Sequence, residues 1–245
     1  MWVLTTNRTV YIWQMNGMAV SLVTPVCSLQ TGYAIRGSGD FDGDGEADML
    51  MQDAYGGIYV QLLHGAVLKG SPVRLGGASM TTWKTVGAGD YNNDGIADVL
   101  FFHLSNGGSY TWLTDLYEGV PYVSALVRLG GTSALLWDCA AAAGDFNKDG
   151  RNDVLWRQRF GSAPAVYAWL MQGTYAAQTV RLGSGPPNFA ITAAGDYDGD
   201  GKCDILFRDQ NTGGDPIWKL DGYLVIGIGW IPSVTNTSYY MVAPK

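Results

Sequence analysis

Short stretches of alternating apolar and polar residues, separated by glycine-rich turns, run through the whole chain. This alternation has the period of two that a half-buried β-strand requires, and β-branched and aromatic residues are frequent in it. Equivalent stretches recur at 59–62, 110–113, 167–170 and 217–220. Because no stretch has a helical period long enough to compete, the pattern predicts an all-β protein.

The strands repeat in a unit of about 50 residues, a period typical of a propeller, solenoid or array. An acidic loop marks each unit and begins at Asp40, Asp90, Asp145 and Asp196. An apolar strand precedes each loop, a second strand follows it, and two more strands complete the unit. Four short strands per unit are typical of the blade of a β-propeller.

The two ends of the chain together supply one more unit. The start of the chain matches the last three strands of a repeat, and 239–243 matches a first strand. We therefore predict an all-β, five-bladed β-propeller with four-stranded blades, closed by one C-terminal strand plus three N-terminal strands. Such closure hides two sheet edges. The predicted single domain, 1–245, divides into blade one (33–82), blade two (83–136), blade three (137–188), blade four (189–238) and a split blade five (1–32 plus 239–245).

The acidic loops share one pattern, with oxygen-bearing side chains at loop positions 1, 3, 5 and 9 and glycine at position 6. A hard cation such as Ca²⁺ takes about six to eight oxygen ligands, which alternate carboxylates and the backbone carbonyl of position 7 would supply. Glycine at position 6 permits the sharp turn. The predicted ligands of four Ca²⁺ ions are Asp40, Asp42, Asp44, Glu46 and Asp48; Asp90, Asn92, Asp94, Ile96 and Asp98; Asp145, Asn147, Asp149, Arg151 and Asp153; and Asp196, Asp198, Asp200, Lys202 and Asp204.

The loops also account for the acidity of the chain, since they contain most of its 22 acidic residues and the formal net charge is −7. Carboxylates held this close together repel one another unless a cation is bound. The second and third loops carry Asn92 and Asn147 at position 3, so we expect weaker calcium sites there. Lysine and arginine do not cluster and no apolar run could span a bilayer, so we expect neither nucleic-acid binding nor membrane insertion.

The sequences around the third and fourth loops, 143–157 and 194–208, follow nearly the same pattern. Each has Ala-Gly-Asp, an aromatic residue, the rest of the loop, an aliphatic residue, leucine and another aromatic residue. This sequence pattern resembles that of the FG-GAP/VCBS repeat family, which includes integrin α-subunit heads and several fungal and bacterial lectins. The resemblance implies an extracellular, calcium-stabilised propeller used in adhesion or glycan recognition, either secreted or at the cell surface. Members of that family mostly have seven or eight blades, so five would be a departure.

Two groups of aromatic residues are candidates for binding a ligand. One is the aromatic residue that opens each first strand, and the other lies in an extended connection of blade two. Repeated aromatics also form inter-blade cores, and a long loop can be tolerated variation, so both alternatives remain open. The candidates are Tyr33, Trp83, Trp137 and Phe189 in the first group, and Tyr117 and Tyr122 in the second.

We expect a carbohydrate-binding (lectin-like) or adhesion module whose partner is a glycan or a cell-surface or extracellular protein. The alternative is a structural or protein-interaction domain of a larger surface or secreted assembly. A polysaccharide-active enzyme is less favoured, because most acidic residues belong to the loops and no Ser/His/Asp grouping or activated cysteine stands out. Cys27, Cys139 and Cys203 fall in different blades, so we expect free thiols.

Overall fold

The computed structural model describes residues 2–4, 7–141, 144–231 and 239–241. These residues form strands and turns, and no helix among them is long and apolar enough to cross a membrane. The strands in chain order are β1 (Trp2–Leu4), β2 (Thr9–Asn16), β3 (Ala19–Ser28), β4 (Ala34–Gly39), β5 (Asp48–Gln52), β6 (Gly57–His64), β7 (Val67–Gly77), β8 (Trp83–Gly89), β9 (Asp98–His103), β10 (Gly108–Tyr117), β11 (Val120–Gly131), β12 (Trp137–Ala141), β13 (Val154–Gln158), β14 (Ala165–Met171), β15 (Ala176–Ser184), β16 (Phe189–Gly195), β17 (Asp204–Asp209), β18 (Pro216–Asp221), β19 (Leu224–Trp230) and β20 (Tyr239–Met241).

Four consecutive antiparallel sheets are simple meanders of four strands: β4–β7, β8–β11, β12–β15 and β16–β19. The first strands of neighbouring sheets contact one another, β4 with β8, β8 with β12 and β12 with β16. They therefore surround a common axis, as the inner strands of propeller blades do. Each acidic loop joins the first strand of its blade to the second, so all four loops lie at the same end of this axis.

The hydrophobic core lies between blades. Phe101, Trp156 and Phe207, at equivalent places on the second strands, are all at most 2% exposed. Each packs, with the ring planes tilted, against a tryptophan of the neighbouring third strand, namely Trp112, Trp169 and Trp218, with ring centroids 4.6–4.7 Å apart. Full burial of such side chains contributes about 1.5–3 kcal/mol each. The third-strand tryptophans therefore belong to the inter-blade cores.

The recurring Arg-Leu-Gly of the outer strands is explained by the same tryptophans. A Cβ atom at Gly76 or Gly130 would lie 2.9 Å from the ring of Trp112 or Trp169, and one at Gly183 would lie 3.1 Å from Trp218. Only glycine lets the outer strand approach these rings so closely.

The terminal sheet differs from the other four. Its body is the hairpin of the long strands β2 and β3, and backbone pairing adds β1 beside β2 and β20 beside β1. The β-propeller arrangement is confirmed, with four regular blades. The prediction of five four-stranded blades is confirmed only in part, because the terminal sheet differs from the other four. The strands β1 and β20 have only three residues each, so they offer few ladder hydrogen bonds.

Candidate metal centre

The carboxylate at position 1 folds each acidic loop around itself. In the first loop Asp40 accepts hydrogen bonds from the backbone N–H groups of Gly43 at 2.7 Å and Gly45 at 2.8 Å. Asp196 does the same in the fourth loop, and Asp90 accepts from the corresponding N–H groups of Asn93 and Gly95. In the third loop Asp145 accepts from the N–H groups of Asp149 and Gly150. The four loops thus share one conformation as well as one sequence pattern.

Two positions of each loop have left-handed backbone conformation. Position 6 is glycine in all four loops, with φ between 76° and 90°. Position 4 also has positive φ, at 75° for Gly43, 62° for Asn93, 61° for Lys148 and 83° for Gly199. Sequence reasoning identified position 6 only, because the residue at position 4 varies.

The carboxylate at position 9 ties each loop to the third strand of its blade. In the third loop, Oδ2 of Asp153 accepts from the backbone N–H of Phe146 at 2.9 Å, and Oδ1 accepts from that of Met171 at 2.8 Å. The other three loops repeat both bonds, with Asp48 to Phe41 and Leu63, Asp98 to Tyr91 and Thr114, and Asp204 to Tyr197 and Leu220. This buried carboxylate therefore has a structural role besides any role toward a metal.

Burial sets the ionisation of these last carboxylates. Removal from water raises the pKa of Asp98 and of Asp153 to about 7 and that of Asp48 to about 6. It also raises the pKa of Asp204. Neighbouring carboxylates of the same loop raise these pKa values further, so a cation bound among them would relieve both effects.

The loop carboxylates converge in a way that fits a cation. Ligand oxygens of Asp40, Asp42 and Asp48 all lie within 4.8 Å of one another, and Asp196, Asp198 and Asp204 form an equivalent group. Oδ1 of Asp42 is buried and has no hydrogen-bond partner among the described residues. A bound hard cation would supply that missing partner. Several acidic clusters of this chain could therefore hold a metal ion.

Position 7 is fixed in the same way in every loop. The backbone N–H groups of Glu46, Ile96, Arg151 and Lys202 each donate to the carboxylate at position 5, over 2.8–3.0 Å. Their side chains differ, as expected if only the backbone of this position serves the site.

Lysine side chains approach the two loops that have aspartate at position 3. Nζ of Lys69 lies 2.5 Å from Asp42 and 3.3 Å from Asp44. Nζ of Lys219 lies 3.0 Å from Asp198 in the fourth loop. Sequence reasoning missed both lysines because they come from later strands of the blade, Lys69 from the fourth and Lys219 from the third, and not from the loop itself.

Adjacent loops are joined around the axis. The backbone N–H of Ala97, in the second loop, donates to the carbonyl oxygen of Asp40 over 2.6 Å. Asn152, in the third loop, is bonded twice to Asp90: its N–H donates to the carbonyl at 3.2 Å, and its side-chain oxygen accepts from the N–H of Asp90 at 2.6 Å. A central cavity of about 370 Å³ opens among the first residues of the four loops.

The repeated loop geometry agrees with what a family comparison finds. The model of the FG-GAP-like repeat matches residues 40–101 and 130–207, which is more than half of the chain. The chain belongs to the FG-GAP-like repeat family. No curated protein matches the chain significantly in sequence.

Among solved structures, the chain is similar to the rhamnogalacturonan lyase YesW, with a TM-score of 0.31 and 15% sequence identity. The similarity covers 72% of this chain and 41% of that one, so the chain spans less than half the length of the enzyme.

One FG-GAP-like loop also has a histidine beside it. Donor atoms of Asp44, Glu46 and His64 lie within 4.8 Å of one another, with Nδ1 of His64 3.4 Å from Glu46. His64 has no metal-ligand spacing in the sequence, because it lies at the far end of β6. The three cysteines are free, as expected.

The candidate ligand residues do not form one site. Tyr33 packs edge-on against Tyr59, and Phe189 packs against Phe207. Trp83 contacts the rings of His103 and Tyr110. Tyr117, which is 70% exposed, and Tyr122 lie in the β10–β11 hairpin, at the end of the molecule that bears the acidic loops.

Two of the candidates line cavities: Tyr33 borders one of about 260 Å³, and Trp137 borders another. This space of about 390 Å³ lies between FG-GAP-like blades two and three, and we call it the aromatic cavity. Its walls are Trp137, Trp156, Tyr167 and Trp169, with Gly131, Thr132 and Thr179. Nε1 of Trp156 is buried and has no hydrogen-bond partner within the described part of the chain.

Proposed function

We propose that this chain is a calcium-stabilised carbohydrate-binding module that works outside the cell, secreted or on the cell surface. The observation that carries the proposal is the aromatic cavity, whose walls include Trp156, a residue with a buried indole N–H that has no hydrogen-bond partner among the described residues. A partner of glycan chemistry is favoured over a protein partner because the cavity is small, concave and aromatic.

Comparison between blades supports a ligand at Trp156. Its place on the second strand is taken by Phe101 in blade two, Phe207 in blade four and Met51 in blade one. These residues fill the inter-blade core without a polar atom, so packing does not require an indole. Leaving a buried donor unpaired costs about 1–3 kcal/mol, and an acceptor on a ligand would remove that cost.

The cavity suits a sugar ring. Its volume of about 390 Å³ is within the range of small-molecule sites, which are mainly aromatic with a few polar groups. Trp137 and Tyr167 meet edge to face with ring centroids 5.2 Å apart, and both are only partly buried. The apolar C–H face of a sugar can stack on such rings while its hydroxyl groups bond Trp156 and the two threonines.

Calcium has a structural role in this proposal. We propose four Ca²⁺ ions, one in each acidic loop, held by the side chains at positions 1, 3, 5 and 9 and the backbone carbonyl at position 7. Support comes from the converging carboxylates, from the Asp42 oxygen that lacks a partner in the described part of the chain, and from membership of the FG-GAP-like repeat family. Metal analysis of calcium-saturated, desalted protein should find four ions per chain, and fewer than two would contradict the proposal.

A glycan array followed by calorimetry with the best oligosaccharide tests the sugar site. Trp156→Phe keeps the ring that blades two and four already use but removes the N–H, so it should weaken binding about tenfold without unfolding the protein. Trp112→Phe makes the same exchange at a third-strand tryptophan of blade two, outside the aromatic cavity, and serves as the control that should bind normally. Equal binding by both variants would contradict the proposed site.

The same experiment separates the other functional classes. Cleavage of the bound oligosaccharide on prolonged incubation would indicate a polysaccharide-active enzyme. Failure of every glycan to bind, together with capture of one defined extracellular protein, would favour a structural or protein-interaction domain.

A further inference from the structure

A second cavity lies on the other side of blade three, at the end of the axis opposite the acidic loops. It has a volume of about 530 Å³ and is bordered by the starts of β8, β12 and β16. Its charged lining residues are Lys84, Arg157, Arg159 and Asp138, and we call it the basic cavity. The cavity thus has an excess of positive charge in a chain whose formal net charge is −7.

A single carboxylate is shared by two of these cations. Asp138 lies 2.8 Å from Nζ of Lys84 and 3.8 Å from a guanidinium nitrogen of Arg159. Lys84 also donates to the carbonyl oxygen of Cys139 over 2.8 Å. Asp138 can neutralise only one positive charge, so two remain.

Arg157 is the residue whose charge is least satisfied. One of its guanidinium nitrogens donates to the carbonyl oxygen of Pro186 over 2.5 Å. Its Nε is buried and has no hydrogen-bond partner in the described ranges. A half-buried guanidinium normally has a carboxylate or phosphate partner, because its planar fork matches an oxyanion.

Blade four shows what the missing partner looks like. Arg208 occupies the place of Arg157 there, and it donates to both oxygens of the buried Asp215, at 3.0 and 3.1 Å. The strand register puts Val166 opposite Arg157 in blade three. Trp169 and Trp218 occupy equivalent places, so the same register makes Val166 the counterpart of Asp215. Blade three therefore has the arginine but no carboxylate at the place of Asp215. Asp138, which lies opposite Arg157 in the β12–β13 register, is already paired with Lys84.

We infer that the basic cavity binds the anionic group of an acidic glycan, either the carboxylate of a uronic acid or a sulfate ester. The inference rests on the proposed function, since it assigns the charge class of the glycan. The aromatic and basic cavities lie on opposite faces of the β12–β13 pair, and Trp156 and Arg157 are adjacent in sequence. One oligosaccharide reaching across the end of blade three could occupy both.

Calorimetry with three probes tests the inference: an oligomer of a hexuronic acid, the same oligomer with its carboxyl groups reduced, and a neutral oligosaccharide carrying sulfate esters. The hexuronate or the sulfated probe should bind at least about tenfold more tightly than the reduced oligomer, and the preferred probe identifies the anion. Arg157→Gln should abolish this preference and leave binding of the neutral oligomer unchanged. Arg181→Gln, which alters an exposed arginine of the same blade, should retain it.

Val166→Asp gives an independent check that leaves the arginine in place. The substitution places a carboxylate opposite Arg157, as Asp215 is placed for Arg208 in blade four. This internal carboxylate should take the place of the ligand's anionic group and remove the preference for acidic probes. Thermal melting should show that each variant is folded. Equal affinity for acidic and neutral oligomers, or a preference that survives Arg157→Gln, would overturn this inference but not the proposed function. Failure of all three probes to bind would overturn both.

Discussion

At the residue scale, Lys148 has a backbone conformation that suits it poorly. Its φ of 61° is in the left-handed region, where the equivalent residues are Gly43, Asn93 and Gly199. A residue with an ordinary side chain pays about 1–2 kcal/mol there, whereas asparagine tolerates it. We expect Lys148→Asn to raise the free energy of unfolding by about 0.5–1 kcal/mol, measured by urea denaturation in calcium.

The reverse exchange in the second loop is the matched test. Asn93→Lys should lower the free energy of unfolding by a similar amount, because it creates the strain that Lys148→Asn removes. If both substitutions destabilise the protein, side-chain contacts and not backbone conformation decide these positions.

Lys69 acts at the same scale on the affinity of the first loop. Its ammonium group lies within 3.3 Å of both Asp42 and Asp44, where it competes with a bound cation for the same oxygens. We expect Lys69→Met to tighten calcium binding in that loop several-fold. Lys84→Met, at the opposite end of the axis, is the control, and unchanged calcium titrations for both variants would contradict the competition.

The contact of Lys69 with Asp42 and Asp44 also changes the order of calcium affinities expected from the number of carboxylates in each loop. The first and fourth loops have aspartate at position 3, yet Lys69 and Lys219 offset that charge. The net charge around the four sites is therefore more even than the loop sequences indicate, and the expected difference in affinity shrinks.

At the scale of the loop and its blade, positions 5 and 9 have separable roles. Asp153, at position 9, accepts a backbone bond on each oxygen, so Asp153→Asn would turn an amide NH₂ toward one backbone N–H. An unsatisfied buried donor costs about 1–3 kcal/mol. We expect Asp153→Asn to lower the melting temperature even in EDTA.

Asp149→Asn is the comparison, because Asp149 at position 5 is exposed and asparagine can still accept the N–H of Arg151. It should melt like the wild type in EDTA and lose part of the stabilisation that calcium gives. Wild-type melting of both variants in EDTA would show that position 9 is merely a metal ligand.

Local patterns made much of the architecture predictable from the sequence. The strand period and the spacing from Asp40 to Asp48 are properties of neighbouring residues, and they identified the all-β propeller and the acidic clusters. What could not be predicted depends on register between distant strands. The importance of Val166 becomes visible only from the strand register, which places it opposite Arg157. The open aromatic cavity beside Trp137 depends on how two blades pack.

At the scale of the whole molecule, the loops form a connected set. Hydrogen bonds run from Ala97 to Asp40 and from Asn152 to Asp90, so ordering of one loop by calcium also restrains the next. Binding to the folded state adds about 2.7 kcal/mol per site at a hundredfold excess over Kd. EDTA should therefore lower the melting temperature of the whole propeller in one transition, and calcium should restore it. An unchanged melting curve would contradict a structural role for the metal.

Closure of the propeller ring depends on the terminal sheet, in which the two ends of the chain pair. We propose that the terminal sheet acts as a fifth blade, because β20 pairs with β1, Trp2 with Met241 and Val3 with Tyr240, and because Met18 packs against the core of blade four. Each backbone bond of this pairing contributes about 0.5–1.5 kcal/mol, and its loss would leave β1 as an open edge. Deleting 238–245 should lower the melting temperature and cause association, whereas deleting 244–245 should not. A truncated protein that stays monomeric with unaltered melting would show that the propeller does not depend on this strand.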